Sequence, residues 1–119
     1  MSESDTLDHS ALARLREWGG EKLLGQMIRL FLENAPGRMA QIRGGLSGGD
    51  VKESEKGAHS LKSSAANVGA LRVRDIAASI ERAASGSDST AAQQLLPSLE
   101  VAFSEAISAL ESVEKGVNP

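Results

Sequence analysis

Residues 58–70 read Ala-His-Ser-Leu-Lys-Ser-Ser-Ala-Ala-Asn-Val-Gly-Ala, and the spacing of their apolar members is that of a helix. Ala58, Leu61, Ala65 and Val68 recur at i, i+3, i+7 and i+10, which draws one apolar stripe along a helical surface. His59 stands one step of about 100° away from that stripe, at its solvent edge. Lys62 and Ser63 follow it by three and four residues, so the three side chains share one exposed patch.

The same periodicity extends outward in both directions. The helix that carries His59 is expected from Val51 to Asn67, with Asp50 as its cap, Glu53 completing a capping box, and Gly69 closing it. Upstream, Leu24, Met27, Ile28, Phe31, Ala35, Met39, Ile42 and Leu46 keep helical phase from Glu21 to Leu46. Pro36 interrupts that run, so a bend is expected near Asn34–Ala35, within one continuous helix because the stripe stays in phase. A shorter helix precedes it, capped by Asp8, with Leu12, Leu15 and Trp18 facing inward and Gly19-Gly20 ending it. Downstream, Leu71–Ala84 presents Val73, Ile76, Ala77, Ile80 and Ala83 inward. After a Ser- and Gly-rich turn, Thr90–Glu114 presents Leu95, Leu96, Leu99, Ala102, Phe103, Ala106, Leu110 and Val113, with Pro97 expected to bend it. No stretch alternates with period two for long enough to be a strand.

Four long amphipathic helices joined by short connections imply an all-α, up-down-up-down antiparallel four-helix bundle, with the short additional N-terminal helix across one end. Residues 1–6 are expected to be a disordered polar segment, 7–114 the domain, and 115–119 a polar tail.

Composition narrows the function. The 119 residues contain no cysteine, which excludes disulfides, thiolate catalysis and cysteine-based zinc sites and fits a reducing, cytoplasmic setting. Thirteen basic against 16 acidic residues leave a formal charge of −3, and no basic tract is present, so binding to nucleic-acid phosphates is not expected. One Trp, two Phe and no Tyr are too few for a base-stacking platform. Polar residues interrupt every apolar run, so no membrane insertion is expected.

The chemistry sits at His59. A neutral imidazole is nucleophilic near neutral pH and can attack phosphorus through one ring nitrogen. Small neighbours, Ser60, Ser63 and Ala66, leave room for a protein partner to approach the ring. Lys62, one turn on, can neutralise phosphoryl oxygens without competing for phosphorus. Glu55, four residues before His59, is placed to orient the other ring nitrogen, and the Ser63 hydroxyl or the Asn67 amide could add a hydrogen bond. Residue types alone leave a plainer reading open, because a histidine on a helix is most often a solvated boundary residue and a lysine a solvated charge. His9, beside Asp5 and Asp8, offers too few ligands on a terminal segment for a metal site, and no metal is expected. The pairs Gly44-Gly45 and Gly48-Gly49 lack the lysine and the preceding strand of a phosphate loop. Without a nucleotide-binding element, the chain is not an autonomous ATP-dependent kinase.

Residues Ala58-His59-Ser60-Leu61-Lys62 and Ser64-Ala65-Ala66-Asn67-Val68-Gly69-Ala70 resemble the signature of histidine phosphotransfer (HPt) domains of bacterial phosphorelays, roughly A-H-x-L-K-G-x-x-x-x-x-G. Gly19-Gly20 with Leu30-Phe31-Leu32 looks like the family's second helix, and Ile80-Glu81 with the turn after it like its fourth, so the resemblance covers about residues 7–112. It implies a four-helix bundle in which His59 accepts a phosphoryl group from the aspartate of one receiver domain and passes it to another. Lys62 would be the phosphoryl-stabilising cation, and Glu55, Ser60, Ser63, Ala66 and Asn67 would meet the partner. The partners implied are receiver domains of response regulators or of hybrid sensor kinases, met by a monomer that carries no cofactor, with Mg²⁺ belonging to the receiver. Ser63 departs from the family, which usually has glycine there. The alternative is a helical adaptor that binds a receiver through the same face without phosphotransfer.

Overall fold

The computed structural model describes residues 6–117, and all its regular structure among them is helical. Helix α1 spans His9–Gly48, α2 Val51–Asn67, α3 Leu71–Ser85 and α4 Ser89–Val117. Each helix packs on its neighbour in the chain, and α4 packs back on α1, which closes a helical bundle of 44 × 25 × 19 Å. Among the described residues, no helix is long and apolar enough to cross a membrane. Residues 1–5 of the expected N-terminal segment and residues 118–119 of the expected tail lie outside the described residues, whereas 115–117 continue α4.

The helix ends follow local chemistry. The Asp8 carboxylate accepts from the Ser10 N–H at 3.0 Å, and that of Asp50 from the Glu53 N–H at 3.1 Å, each satisfying a donor that the first turn leaves free. The expected capping box is only half made. The Asp50 N–H donates to the Gly45 carbonyl at 2.8 Å, and Glu53 instead accepts from Gln41 Nε2 at 2.7 Å, tying α2 to α1. The expected short helix and the long one after it run together as α1, and Gly20, at φ 69° and ψ −167°, is the residue inside α1 that leaves helical dihedrals. Pro36 and Pro97 lie inside α1 and α4 without ending them; both are exposed, so the carbonyl each orphans can be hydrated.

The core is a continuous set of buried apolar side chains from all four helices, Leu24, Ile28, Met39, Ile42, Leu61, Ile80, Leu99 and Leu110 among the largest. Phe31 and Phe103 meet with ring centroids 6.3 Å apart and planes tilted by 42°, a favourable offset for two quadrupoles. Helices α1 and α2 come together where side chains are missing. A Cβ on Gly45 would lie 2.6 Å from the Ser54 nitrogen, and one on Gly57 3.0 Å from Ile42 Cγ1. One expected core residue is outside: Trp18 is 72 % exposed. It is the last residue before the Gly19-Gly20 break, and the α2 residues beside it, Ala66 and Asn67, are too short to cover an indole.

The end of α2 is fastened as well as capped. Gly69, at φ 75°, adopts a conformation that L-residues avoid, and its carbonyl accepts from the Asp8 N–H at 2.7 Å. A Cβ there would lie 2.7 Å from the Asp8 carbonyl oxygen. The start of α1 is thereby tied to the turn between α2 and α3.

Candidate functional site

His59 projects from the middle of α2 with 61 % of its side chain exposed. The helix holds it there through the opposite stripe, in which Ala58, Leu61 and Ala65 are fully buried. The ring nitrogen Nδ1 lies 2.7 Å from Glu81 Oε2, and the other carboxylate oxygen, Oε1, lies 2.6 Å from Lys62 Nζ. Glu81 comes from α3, so one carboxylate ties the histidine and the lysine of α2 to the neighbouring helix. No partner for His59 Nε2 is found among the described residues.

The electrostatics follow from this sharing. Chiefly the Lys62 ammonium, and to a smaller extent the His59 ring, hold the Glu81 carboxyl below its ordinary value of 4.5, against the opposing effect of burial. Glu81 is therefore an ionised acceptor at neutral pH. An acceptor at Nδ1 draws the ring proton to Nδ1 and leaves the lone pair on Nε2, the nitrogen toward solvent chemistry. The ammonium also offsets a negative charge that would otherwise repel an incoming phosphoryl group.

Glu81 takes the place expected for Glu55. That residue is half-buried and lines the open cleft beside His59, together with Arg38, Gln41, Lys56, Ser60 and Glu81, but the bond to Nδ1 is made by Glu81. Ser63, Ala66 and Asn67 are exposed, and at 100° per residue they fall on the same side of α2 as His59. Lys62 is beside the ring as expected, with its charge engaged by Glu81. A local reading of α2 missed Glu81 because it lies 22 residues away on another helix. Its signal in the sequence is the pair Ile80-Glu81, whose likeness to a family helix assigns the carboxylate no role by itself. Arg38 and Lys56, the two cations lining the cleft, were likewise missed. His9 is the first residue of α1 and exposed, and no group of three or more potential metal-ligating residues occurs among the described residues.

Comparison with known proteins identifies the family and the fold. The family model described as "Hpt domain" matches residues 26–113. The crystal structure of histidine-containing phosphotransfer protein B (HptB) from Pseudomonas aeruginosa PAO1 superposes with a TM-score of 0.86 at 23 % identity, covering 92 % of this chain and 95 % of that one. No curated protein matches the sequence. The family match spans α2 and α3, with His59, Lys62 and Glu81, and most of α1 and α4, and the chain belongs to the Hpt domain family.

Proposed function

We propose that this domain relays phosphoryl groups between receiver domains through a phosphohistidine at His59. The observation that carries the reading is the pairing of an exposed ring with a buried-side carboxylate: Glu81 occupies Nδ1 at 2.7 Å and leaves Nε2 as the nucleophile. In the forward step the Nε2 lone pair attacks the phosphorus of a receiver's aspartyl phosphate. The N–P bond forms as the P–O bond to the aspartate breaks, and the departing electron pair restores the carboxylate. The phosphorylated ring is cationic, with its Nδ1 proton held by Glu81, and the reverse sequence delivers the group to a second receiver. Glu81 thus acts as a positioning residue.

Lys62 keeps the site receptive to an anion by neutralising Glu81, and can turn its ammonium toward the phosphoryl oxygens once they arrive. Glu55, Ser60, Ser63, Ala66 and Asn67 surround the ring where a receiver must approach. Any divalent ion used in the step is supplied by the receiver's own carboxylates. The four helices, running alternately up and down over residues 7–114, with the segment before Gly20 lying across one end, form the scaffold of a monomeric cytoplasmic relay.

His59→Gln tests the reading. We expect acid-labile labelling by phosphorylated receiver domains to vanish while the helical circular-dichroism signal is unchanged. Undiminished labelling of the variant would overturn the assignment. Retained receiver binding with no labelling of the wild type would point to a non-catalytic adaptor.

A further inference from the structure

The cleft beside His59 holds two cations to which the relay step gives no task. It is open, of about 620 Å³, and lined by Arg38 of α1, by Glu55, Lys56 and Ser60 of α2, and by Glu81 of α3. That volume is in the range of small-molecule sites. The close approach of α1 to α2 builds one wall. A Cβ on Gly57 would lie 3.2 Å from the Arg38 carbonyl oxygen, so Arg38 is set beside the turn of α2 that leads into His59. Lys56 stands three residues before His59, on the same side of the helix.

Both charges are unmatched. Among the described residues, no carboxylate lies within ion-pair distance of Arg38 or of Lys56. The Arg38 guanidinium donates to the neutral Gln41 amide, at a long 3.4 Å. Lys62, by contrast, has its ammonium 2.6 Å from Glu81. With Lys62 included, Arg38 and Lys56 outnumber the carboxylates of Glu55 and Glu81, a local positive excess in a chain of formal charge −3. Unpaired donors beside a free ring nitrogen favour a small anion rich in acceptor oxygens.

The reacting bond narrows the chemistry of that anion. In the relay, Nε2 takes its phosphoryl group from an aspartyl phosphate, and a small acyl phosphate carries the same mixed anhydride. A receiver brings any divalent ion with it. A small donor needs its charge met by this chain, and Arg38 and Lys56 line the space it must enter. We infer that the cleft binds a small acyl phosphate, which phosphorylates His59 with no receiver present. The Nε2 lone pair attacks phosphorus and the N–P bond forms as the P–O bond to the acyl group breaks. The carboxylate leaves with that electron pair, and the Nδ1 proton stays on its hydrogen bond to Glu81. Arg38 and Lys56 bind the phosphoryl oxygens through charge-assisted hydrogen bonds. This second entry rests on the reading of His59 as a phospho-acceptor.

Acetyl phosphate is the probe, incubated with the full chain in EDTA and followed by ³¹P NMR, which resolves phosphohistidine from the donor. The wild type should be phosphorylated at a rate that saturates with donor, and His59→Gln should not be. Arg38→Ala and Lys56→Ala should each raise the half-saturating concentration about tenfold, as expected for loss of a charged hydrogen bond. The rate at saturation should change little, and Arg38→Lys should recover most of the loss. The same variants should slow labelling by a phosphorylated receiver far less. Both side chains are exposed, and unchanged circular dichroism shows that the effect is not unfolding. Absence of phosphohistidine overturns the inference, as does a rate that rises linearly with donor and ignores both substitutions. Labelling of the same chain by a receiver then leaves the relay standing. Saturable, Arg38-dependent phosphorylation of His59 beside failure of every receiver in a panel sustains the site and overturns the relay.

Discussion

Helix α2 has two unlike faces, and the contrast explains how it works. The inner face carries Ser54, Gly57, Ala58, Leu61 and Ala65, all buried, and at Gly57 there is no room even for a methyl group without displacing Ile42 or α1 backbone. The outer face carries His59 and Ser63 in the open, with Lys62 half-buried beside them. Close packing is intolerant of change, since a core side chain meets fixed neighbours at van der Waals distance. An exposed imidazole is free to move unless a second group holds it. Putting both on one helix gives the imidazole a rigid origin, and the Glu81 bond from α3 fixes its ring plane and its proton.

Substitutions on the two faces should therefore fail in different ways. The largest effect on transfer is expected from the outer face: His59→Gln abolishes labelling without a change in melting temperature. The largest effect on stability is expected from the inner face. Leu61 is fully buried, and Leu61→Ala should cost about 2–5 kcal/mol in chemical denaturation, with transfer by the folded fraction close to normal. Equal losses of stability and of per-molecule transfer in that variant would break the division between faces.

Glu81→Gln comes next, because it keeps the size of the side chain and removes the charge that fixes the Nδ1 proton. A slowing of about tenfold is expected in single-turnover transfer, by analogy with the loss of a carboxylate that orients a metal-bound imidazole. The accompanying stability effect has a definite sign with pH. Since folding lowers the Glu81 value below 4.5, its contribution is complete above that value and is lost as the pH falls through the lowered one. Wild type and Glu81→Gln should differ in melting temperature across the neutral range and converge in acid. A difference that grows on acidification would rule out the carboxylate as the source.

Lys62→Ala should slow transfer by less than Glu81→Gln does, because it removes an offsetting charge and leaves the nucleophile and its proton in place. Rapid-quench transfer rates decide it, and a normal rate would remove Lys62 from the mechanism. The smallest effect is expected from Ser63→Gly. Glycine inside a helix costs about 0.5–1 kcal/mol, visible in denaturation, while transfer should change only with certain receivers in a panel.

Much of the fold is legible in short stretches. The boundaries of α2 follow from Asp50 before it and from Gly69 after it, where φ is 75°, and its buried stripe follows from the spacing of Ala58, Leu61 and Ala65. His59 and Lys62 are found in the same way, since one turn of helix is enough to set them side by side. Pro36 and Pro97 each sit inside a helix that continues through them, as expected of both. Packing along the whole length of a helix outweighs one missing hydrogen bond.

Glu81 and Trp18 mark what lay beyond local reading. A search along α2 finds Glu55 one turn before His59, whereas the carboxylate on Nδ1 arrives from α3, across 22 residues of chain. Trp18 follows Leu12 and Leu15 in helical phase and is expected inside, yet it is exposed, and the α2 residues beside it, Ala66 and Asn67, are too short to cover it. Sequence alone determined the helices, the capping residues Asp8 and Asp50, most of the core stripes and the nearness of His59 to Lys62, since each depends on neighbours within a few residues. Which carboxylate holds the imidazole, and which large side chain is left uncovered, were decided only in the tertiary structure, because both depend on what a different helix places alongside.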